Sequence, residues 1–361
     1  MCARSTSIHI QKRARTTMAT LIYVDEQTEG WRRVRRGKGF SYVAQDGSPV
    51  RDPGHLERIR KLAIPPAYTD VWICPDANGH LQATGRDARG RKQYRYHALW
   101  QEHRTQAKFE RMREFGHHLP AIRRAVERDL AQRRPGLELV AATAVRLLDA
   151  TGIRIGNDEY SEQNGSYGLT TLKNRHAKAT TSGLTLHFKG KSGVMQKVSV
   201  ADRRVARIVR RCQELPGQRL FQFLDENDEL QHLRSDHVND YLRSLCDEDF
   251  TAKDFRTWHA SVTAMELALQ AREANAEAGI LDEPAIADIV KQVAQRLGNT
   301  SAVCRKFYIH PEVLSYCARE AEAGAGTPRK SGLSAPECAL LQLLDSCQPA
   351  MKEPVRILAP A

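Results

Sequence analysis

The sequence predicts an α+β protein, with a small β-rich N-terminal domain and a larger, mainly helical domain that carries a β-hairpin. Three observations predict it. Between Leu21 and Tyr96, short apolar runs alternate with turn signals. After about His97, apolar residues recur at helical spacing. Within that helical part, Leu184–Phe188 and Val194–Val200 read as two strands around a Lys189–Gly193 turn.

Taken in order, Leu21–Val24 and Phe40–Val43 read as strands. Asp46-Gly47 and Asn78-Gly79 are tight-turn signals, and the second joins Val71–Cys74 to Leu81–Thr84 as a hairpin. A short helix at His55–Leu62 ends before Ile64-Pro65-Pro66, where proline cannot continue it. Amphipathic helices follow at Ala121–Arg134, stopped by Pro135-Gly136, and at Leu137–Ala150. Leu169–Leu172 reads as a further strand. Helices resume at Asp202–Cys212, His237–Cys246, Ala260–Ala278, Pro284–Leu297 and about Thr300–Tyr308. Gly, Pro, Ser and Ala accumulate from Gly324 and suggest a linker, with one more short helix at Glu337–Asp345. The predicted organisation is a disordered basic leader (1–20), a β-rich N-terminal domain (21–97), a mainly helical domain (98–322) and a flexible tail (323–361).

A length of 361 residues fits two domains, and a hydrophobic fraction of 41% excludes a wholly disordered chain. Mean hydropathy is −0.53, and no run approaches the roughly 18 apolar residues of a membrane-spanning helix. The 55 Lys and Arg against 43 Asp and Glu give a net charge of +12, with a pI near 9.4. A folded basic protein of this kind most often meets a polyanion, nucleic acid first; the alternative is a basic surface kept for solubility. The eight cysteines (Cys2, Cys74, Cys212, Cys246, Cys304, Cys317, Cys338, Cys347) form no C-x-x-C pair and read as reduced thiols of an intracellular protein. Met1–Thr17 lacks the apolar core of a secretory signal. Its Arg, Ser and Thr content is that of a transit peptide, or Met18 is the true start. The expected location is the cytoplasm, in association with the nucleoid.

Several chemical signals fail. Gly190-Lys191-Ser192 ends like a phosphate loop, but Thr185 stands where that loop needs glycine. His117-His118 lacks a third ligand at sensible spacing. Neither a metal nor a nucleotide cofactor is expected. Basic and aromatic residues interleave more tellingly in Gly85–Tyr96, where Gln93, Tyr94 and Tyr96 could reach bases or sugars while Lys and Arg meet phosphates. An edge strand kept soluble by charge fits the same segment.

In the helical part, Thr151–Asn157 sets Arg154 between two glycines, and Lys191 sits at a hairpin tip. Lys253-Asp254-Phe255-Arg256-Thr257 precedes the helix predicted at Ala260. Asn299 follows Gly298 at a helix end, and Tyr308 follows Arg305-Lys306-Phe307. Singly, each fits a helix cap or a surface pair.

Together they resemble the type IB DNA topoisomerases, particularly the compact poxvirus and bacterial subgroup. The resemblance runs from about Leu21 to about Ala318. It rests on GRDARGRKQYRYH (85–97), TGIRIGNDEY (151–160), GLTTLKNRH (168–176), FKGK (188–191), KDFRTW (253–258) and GNTSAVCRKFY (298–308). It implies that Tyr308 attacks a DNA phosphodiester to give a 3′-phosphotyrosyl link and a 5′-hydroxyl. In that scheme Arg154 and Arg256 hold the non-bridging oxygens and Lys191 protonates the leaving oxygen. Gln93, Tyr94, Tyr96, Tyr160 and Lys253 would contact DNA. The resemblance also implies a monomer that closes as a clamp on duplex DNA and needs neither ATP nor metal. Asn299 stands where most of the family has histidine; its amide can still donate a neutral hydrogen bond. Asn157 and Glu159 replace basic residues of the viral enzymes, so the viral cleavage-site preference is not expected. A tyrosine site-specific recombinase shares the chemistry, but its N-terminal domain is typically helical. A non-enzymatic basic DNA-binding protein would leave the Arg, Lys, Arg and Tyr set unexplained.

Overall fold

In the computed structural model of the chain, the described residues are 20–274, 281–319, 330–347 and 356–358. They divide into two units, one comprising residues 1–107 with 349–361 and the other residues 108–348. The expected basic leader falls almost wholly outside the described residues.

The first unit is built on a five-stranded antiparallel sheet. A short strand β1 (Thr20–Ile22) precedes β2 (Trp31–Arg36) and β3 (Gly39–Val43). Helix α1 (Pro53–Lys61) leads to β4 (Thr69–Ile73), β5 (Leu81–Arg86) and β6 (Lys92–Tyr96). The strand order is β3-β2-β4-β5-β6, which leaves β6 on an edge. The strand Arg356–Leu358 pairs in parallel with β1 instead. Asp52 caps α1 by accepting the His55 amide at 2.8 Å, and Pro53 takes the first helical turn, where no amide partner is needed. Ile59 on α1 meets Val71, Ile73 and Ala83 in a small apolar core. Two arginines are structural here. Arg33 donates to the carbonyls of Ile64, Pro65 and Tyr68, and Arg58 to Gln82 Oε1 and the Cys74 and Pro75 carbonyls. Arg33 satisfies carbonyls of the proline-rich loop, and Arg58 those at the end of β4.

Helix α2 (Ala98–Asp129) opens the helical part. It begins well before the predicted Ala121 and runs through Pro120, whose missing amide hydrogen costs one helical bond without ending the helix. Then come α3 (Leu137–Thr151), α4 (Asp158–Asn164), β7 (Ala177–Ala179), β8 (Leu184–Lys189) and β9 (Met195–Val200). Helix α5 (Arg203–Glu214), the hairpin β10 (Gln222–Leu224) and β11 (Leu230–His232), and α6 (Ser235–Leu245) lead to the long α7 (Ala252–Ala274). Helices α8 (Glu283–Leu297), α9 (Ser301–Phe307), α10 (Pro311–Cys317) and α11 (Ala335–Ser346) complete the unit. One large core centred on α3 and α7 joins them.

Three sequence expectations change. Leu169–Leu172 is not a strand but a 3₁₀ turn over Leu169–Thr171. The Thr171 hydroxyl bonds both the amide and the carbonyl of Gly168, and such local side-chain bonding competes with a ladder. Helix α7 starts at Ala252 rather than Ala260, so Lys253 and Arg256 lie on the helix instead of ahead of it. Residues 335–346 are not part of a flexible tail: α11 buries Leu340, Leu341 and Leu344 in the core. Arg123 anchors it, pairing with Asp149 at 2.8 Å and with Glu337 at 2.7 Å.

Candidate active site

The Arg154 loop is placed by backbone. Helix α3 ends in a left-handed turn at Gly152 (φ 60°), whose amide closes on the Leu148 carbonyl. A Cβ at Gly152 would lie 2.9 Å from the ring of His259, so the backbone there approaches α7 as only glycine allows. The carbonyls of Arg154 and Ile155 then accept the amides of Leu169 (2.8 Å) and Thr170 (2.7 Å). The turn that was expected to be a strand therefore holds the arginine loop. The same turn reaches the hairpin: the Tyr167 amide donates to the Lys189 carbonyl at 2.8 Å. Two residues on, Lys191 stands exposed at the β8–β9 tip, beside the exposed side chains of Val194 and Met195.

Asn299 is set by the end of α8. Gly298 is left-handed (φ 60°), and the Asn299 amide bonds the Ala294 carbonyl at 2.9 Å. A Cβ at Gly298 would sit 2.2 Å from Gln196 Nε2, which shows that β9 lies directly against this helix end. Arg154 donates to Asn299 Oδ1, while Asn299 Nδ2 is buried without a hydrogen-bond partner.

Arg256 is 6% exposed. Its terminal nitrogens donate to the carbonyls of Gly152 and Leu297, both at 2.6 Å, and thereby tie the ends of α3 and α8 together. Among the described residues its Nε has no hydrogen-bond partner and it makes no ion pair with a carboxylate. Burial, and next the like charge of Arg154, pull the guanidinium down to about 10, with Tyr308 opposing. Two cations this close, one of them buried without a carboxylate, leave a place that favours an anion. Tyr308 ends α9, half-buried, with its ring centroid 5.2 Å from the Arg256 guanidinium. Ser261 on α7 donates to the Tyr308 carbonyl at 3.2 Å and accepts the His310 amide at 2.9 Å, fixing the chain on both sides of the tyrosine.

The structure thus brings Arg154, Arg256, Asn299 and Tyr308 into one connected set. Lys191 is linked to that set through the backbone of its hairpin, not by a side-chain contact. Lys253 is exposed on the first turn of α7. In the first unit, Tyr94 and Tyr96 share a face of the edge strand β6, are 48% and 38% exposed, and stack 6.0 Å apart. The Gln93 amide is held by Asp87 at 3.1 Å. The side chain of Tyr160 lies outside the described residues. Sequence reading missed Gln196, Ser261 and Lys108; no motif marks them. Among the described residues no helix is long and apolar enough to cross a membrane, and no group of three or more His, Cys, Asp or Glu could hold a metal ion.

The chain is similar to known proteins along most of its length. Residues 97–325 match the family model of the eukaryotic DNA topoisomerase I catalytic core, and residues 39–87 match that of the bacterial DNA topoisomerase IB N-terminal domain. The DNA topoisomerase 1B of Acanthamoeba polyphaga mimivirus is 32% identical over 78% of this chain and 85% of its own. The DNA topoisomerase 1 of rabbit fibroma virus is 22% identical over 74% of this chain and 82% of its own. A solved site-specific recombinase, XerH on a palindromic difH substrate, covers 54% of this chain and 48% of its own, with a TM-score of 0.34 and 12% identity. With both family models matched in order and the mimivirus enzyme similar along most of its length, the chain belongs to the type IB DNA topoisomerase family.

Proposed function

We propose that the chain relaxes supercoiled duplex DNA by transient cleavage of one strand at Tyr308, assisted by Arg154, Arg256, Asn299 and Lys191. The phenolic oxygen attacks phosphorus and gives up its proton as the bond to the 5′-oxygen breaks. Lys191 supplies a proton to that oxygen, so a 5′-hydroxyl leaves and a 3′-phosphotyrosyl ester remains. The broken strand swivels, and the same steps in reverse reseal it. One phosphoester replaces another, so the exchange draws on no ATP.

The observation that carries this reading is the buried Arg256 guanidinium, close to Arg154 and Tyr308 and without a carboxylate partner among the described residues. Negative charge grows on the non-bridging oxygens in the transition state, and guanidinium forks already in place stabilise it without reorganising. Asn299 adds a neutral amide donor from its buried Nδ2. A free phenol titrates at about 10 and a free ammonium at about 10.4, so the chemistry needs its charged neighbours. Gln93, Tyr94, Tyr96, Tyr160 and Lys253 are proposed to contact DNA, with the chain acting as a monomer in the cytoplasm.

Supercoiled plasmid tests the reading. Purified protein should relax both negative and positive supercoils in EDTA without ATP. Failure to relax either would overturn it, and relaxation confined to plasmids bearing particular sites would point to a site-specific recombinase.

A further inference from the structure

Lys108 lies on α2, outside every motif in the sequence. Its ammonium is 4.7 Å from the centroid of the Tyr308 ring and donates to the carbonyl of Phe307, the preceding residue. The next residue, Phe109, is buried and packs edge-on against His310 with ring centroids 5.1 Å apart. Consecutive residues of α2 therefore grip the chain on either side of the tyrosine, opposite the grip of Ser261 from α7. Packing alone would be served by an apolar side chain, without the cost of drawing an ammonium out of water. That cost is offset by one carbonyl and the face of the Tyr308 ring, and Lys108 has no ion pair among the described residues.

We propose that Lys108 is a positioning residue for strand cleavage: its charge fixes the Tyr308 segment and favours the negative charge that the phenolic oxygen gains on losing its proton. This rests on Tyr308 being the nucleophile. Among the described residues the charged groups facing the ammonium are on α7, where Asp254 raises its pKa and Arg256 and Lys253 lower it, and the titratable Tyr308 faces it from the end of α9. Burial outweighs them and brings Lys108 down to about 8. The ammonium is thus charged at pH 7 and loses its charge within the range of an ordinary assay. Help from a cation is present below that value and fades as the pH rises through it.

The test uses the full chain in excess over plasmid. The single-turnover rate of SDS-trapped adduct formation is measured from pH 6 to pH 10, beside DNA affinity and thermal melting. Lys108→Met should cleave roughly tenfold more slowly at pH 7. Its deficit against the parent should shrink towards none as the pH rises through about 8. Lys108→Arg, charged throughout, should keep its advantage over Lys108→Met across the whole range. DNA affinity should be the same for all three. No deficit, a deficit equal at pH 6 and pH 10, or one wholly accounted for by DNA affinity would overturn the proposal. An adduct trapped from Tyr308→Phe would instead show that the nucleophile itself is misassigned.

Discussion

Arg256 and Lys191 carry the same charge and serve the same proposed reaction, but the fold treats them in opposite ways. Arg256 is buried on a long helix with two backbone carbonyls on its terminal nitrogens, while Lys191 stands at an exposed hairpin tip, its ammonium without a hydrogen bond to the described residues. The difference follows the charge each must meet. The non-bridging oxygens stay in place through the reaction, so a rigid fork serves them best and needs no rearrangement at the moment of cleavage. The leaving oxygen moves away with the swivelling strand. A general acid at the exposed tip of a hairpin, whose strand β8 is held by Leu184, Leu186 and Phe188 in the core, can meet that oxygen and release it. In the proposed reaction Arg256 therefore has both a catalytic and an architectural part, whereas the part proposed for Lys191 is catalytic alone.

Substitution should separate the two. Arg256→Ala is expected to have the largest effect, slowing cleavage by roughly 10³–10⁵-fold, as loss of an arginine in phosphoryl transfer does. It should also lower the melting temperature, because the Gly152 and Leu297 carbonyls lose their donors and a buried space opens. Unchanged melting would contradict its architectural part. Lys191→Ala should slow cleavage by roughly 10²–10⁴-fold and leave melting unchanged, since nothing in the fold depends on its ammonium. A substrate with a 5′-thiolate leaving group, which needs little protonation, should restore most of the lost rate. Without that rescue, Lys191 is not the acid.

Legibility in the sequence follows the same division. The hairpin, Asn299 after a helix-ending glycine, and Tyr308 at the end of a short helix are local patterns, and they stand where the sequence put them. Lys108 and Tyr308 meet across about 200 residues of chain, a contact no spacing rule reaches. Helix α7 starts eight residues before the amphipathic pattern predicts, because it is buried on nearly all sides and its start shows no amphipathic stripe. Its capping signal was present: the Asp254 carboxylate accepts the Thr251 amide at 2.8 Å, one half of a capping box. Strand β2 was hidden by its own sequence, Trp-Arg-Arg-Val-Arg-Arg, whose charges read as surface although Arg33 is bound inward to three carbonyls. Part of the +12 net charge thus serves the fold rather than DNA.

The central claim is that the Tyr308 oxygen forms the bond to DNA. Trapping the protein on duplex DNA with SDS, digesting both and mapping the adducted peptide by mass spectrometry tests it most directly. The expected result is a 3′-phosphonucleotide on the peptide containing Tyr308, with no adduct from Tyr308→Phe despite unchanged DNA binding. A nucleotide on any other residue, or an adduct surviving in Tyr308→Phe, would contradict it.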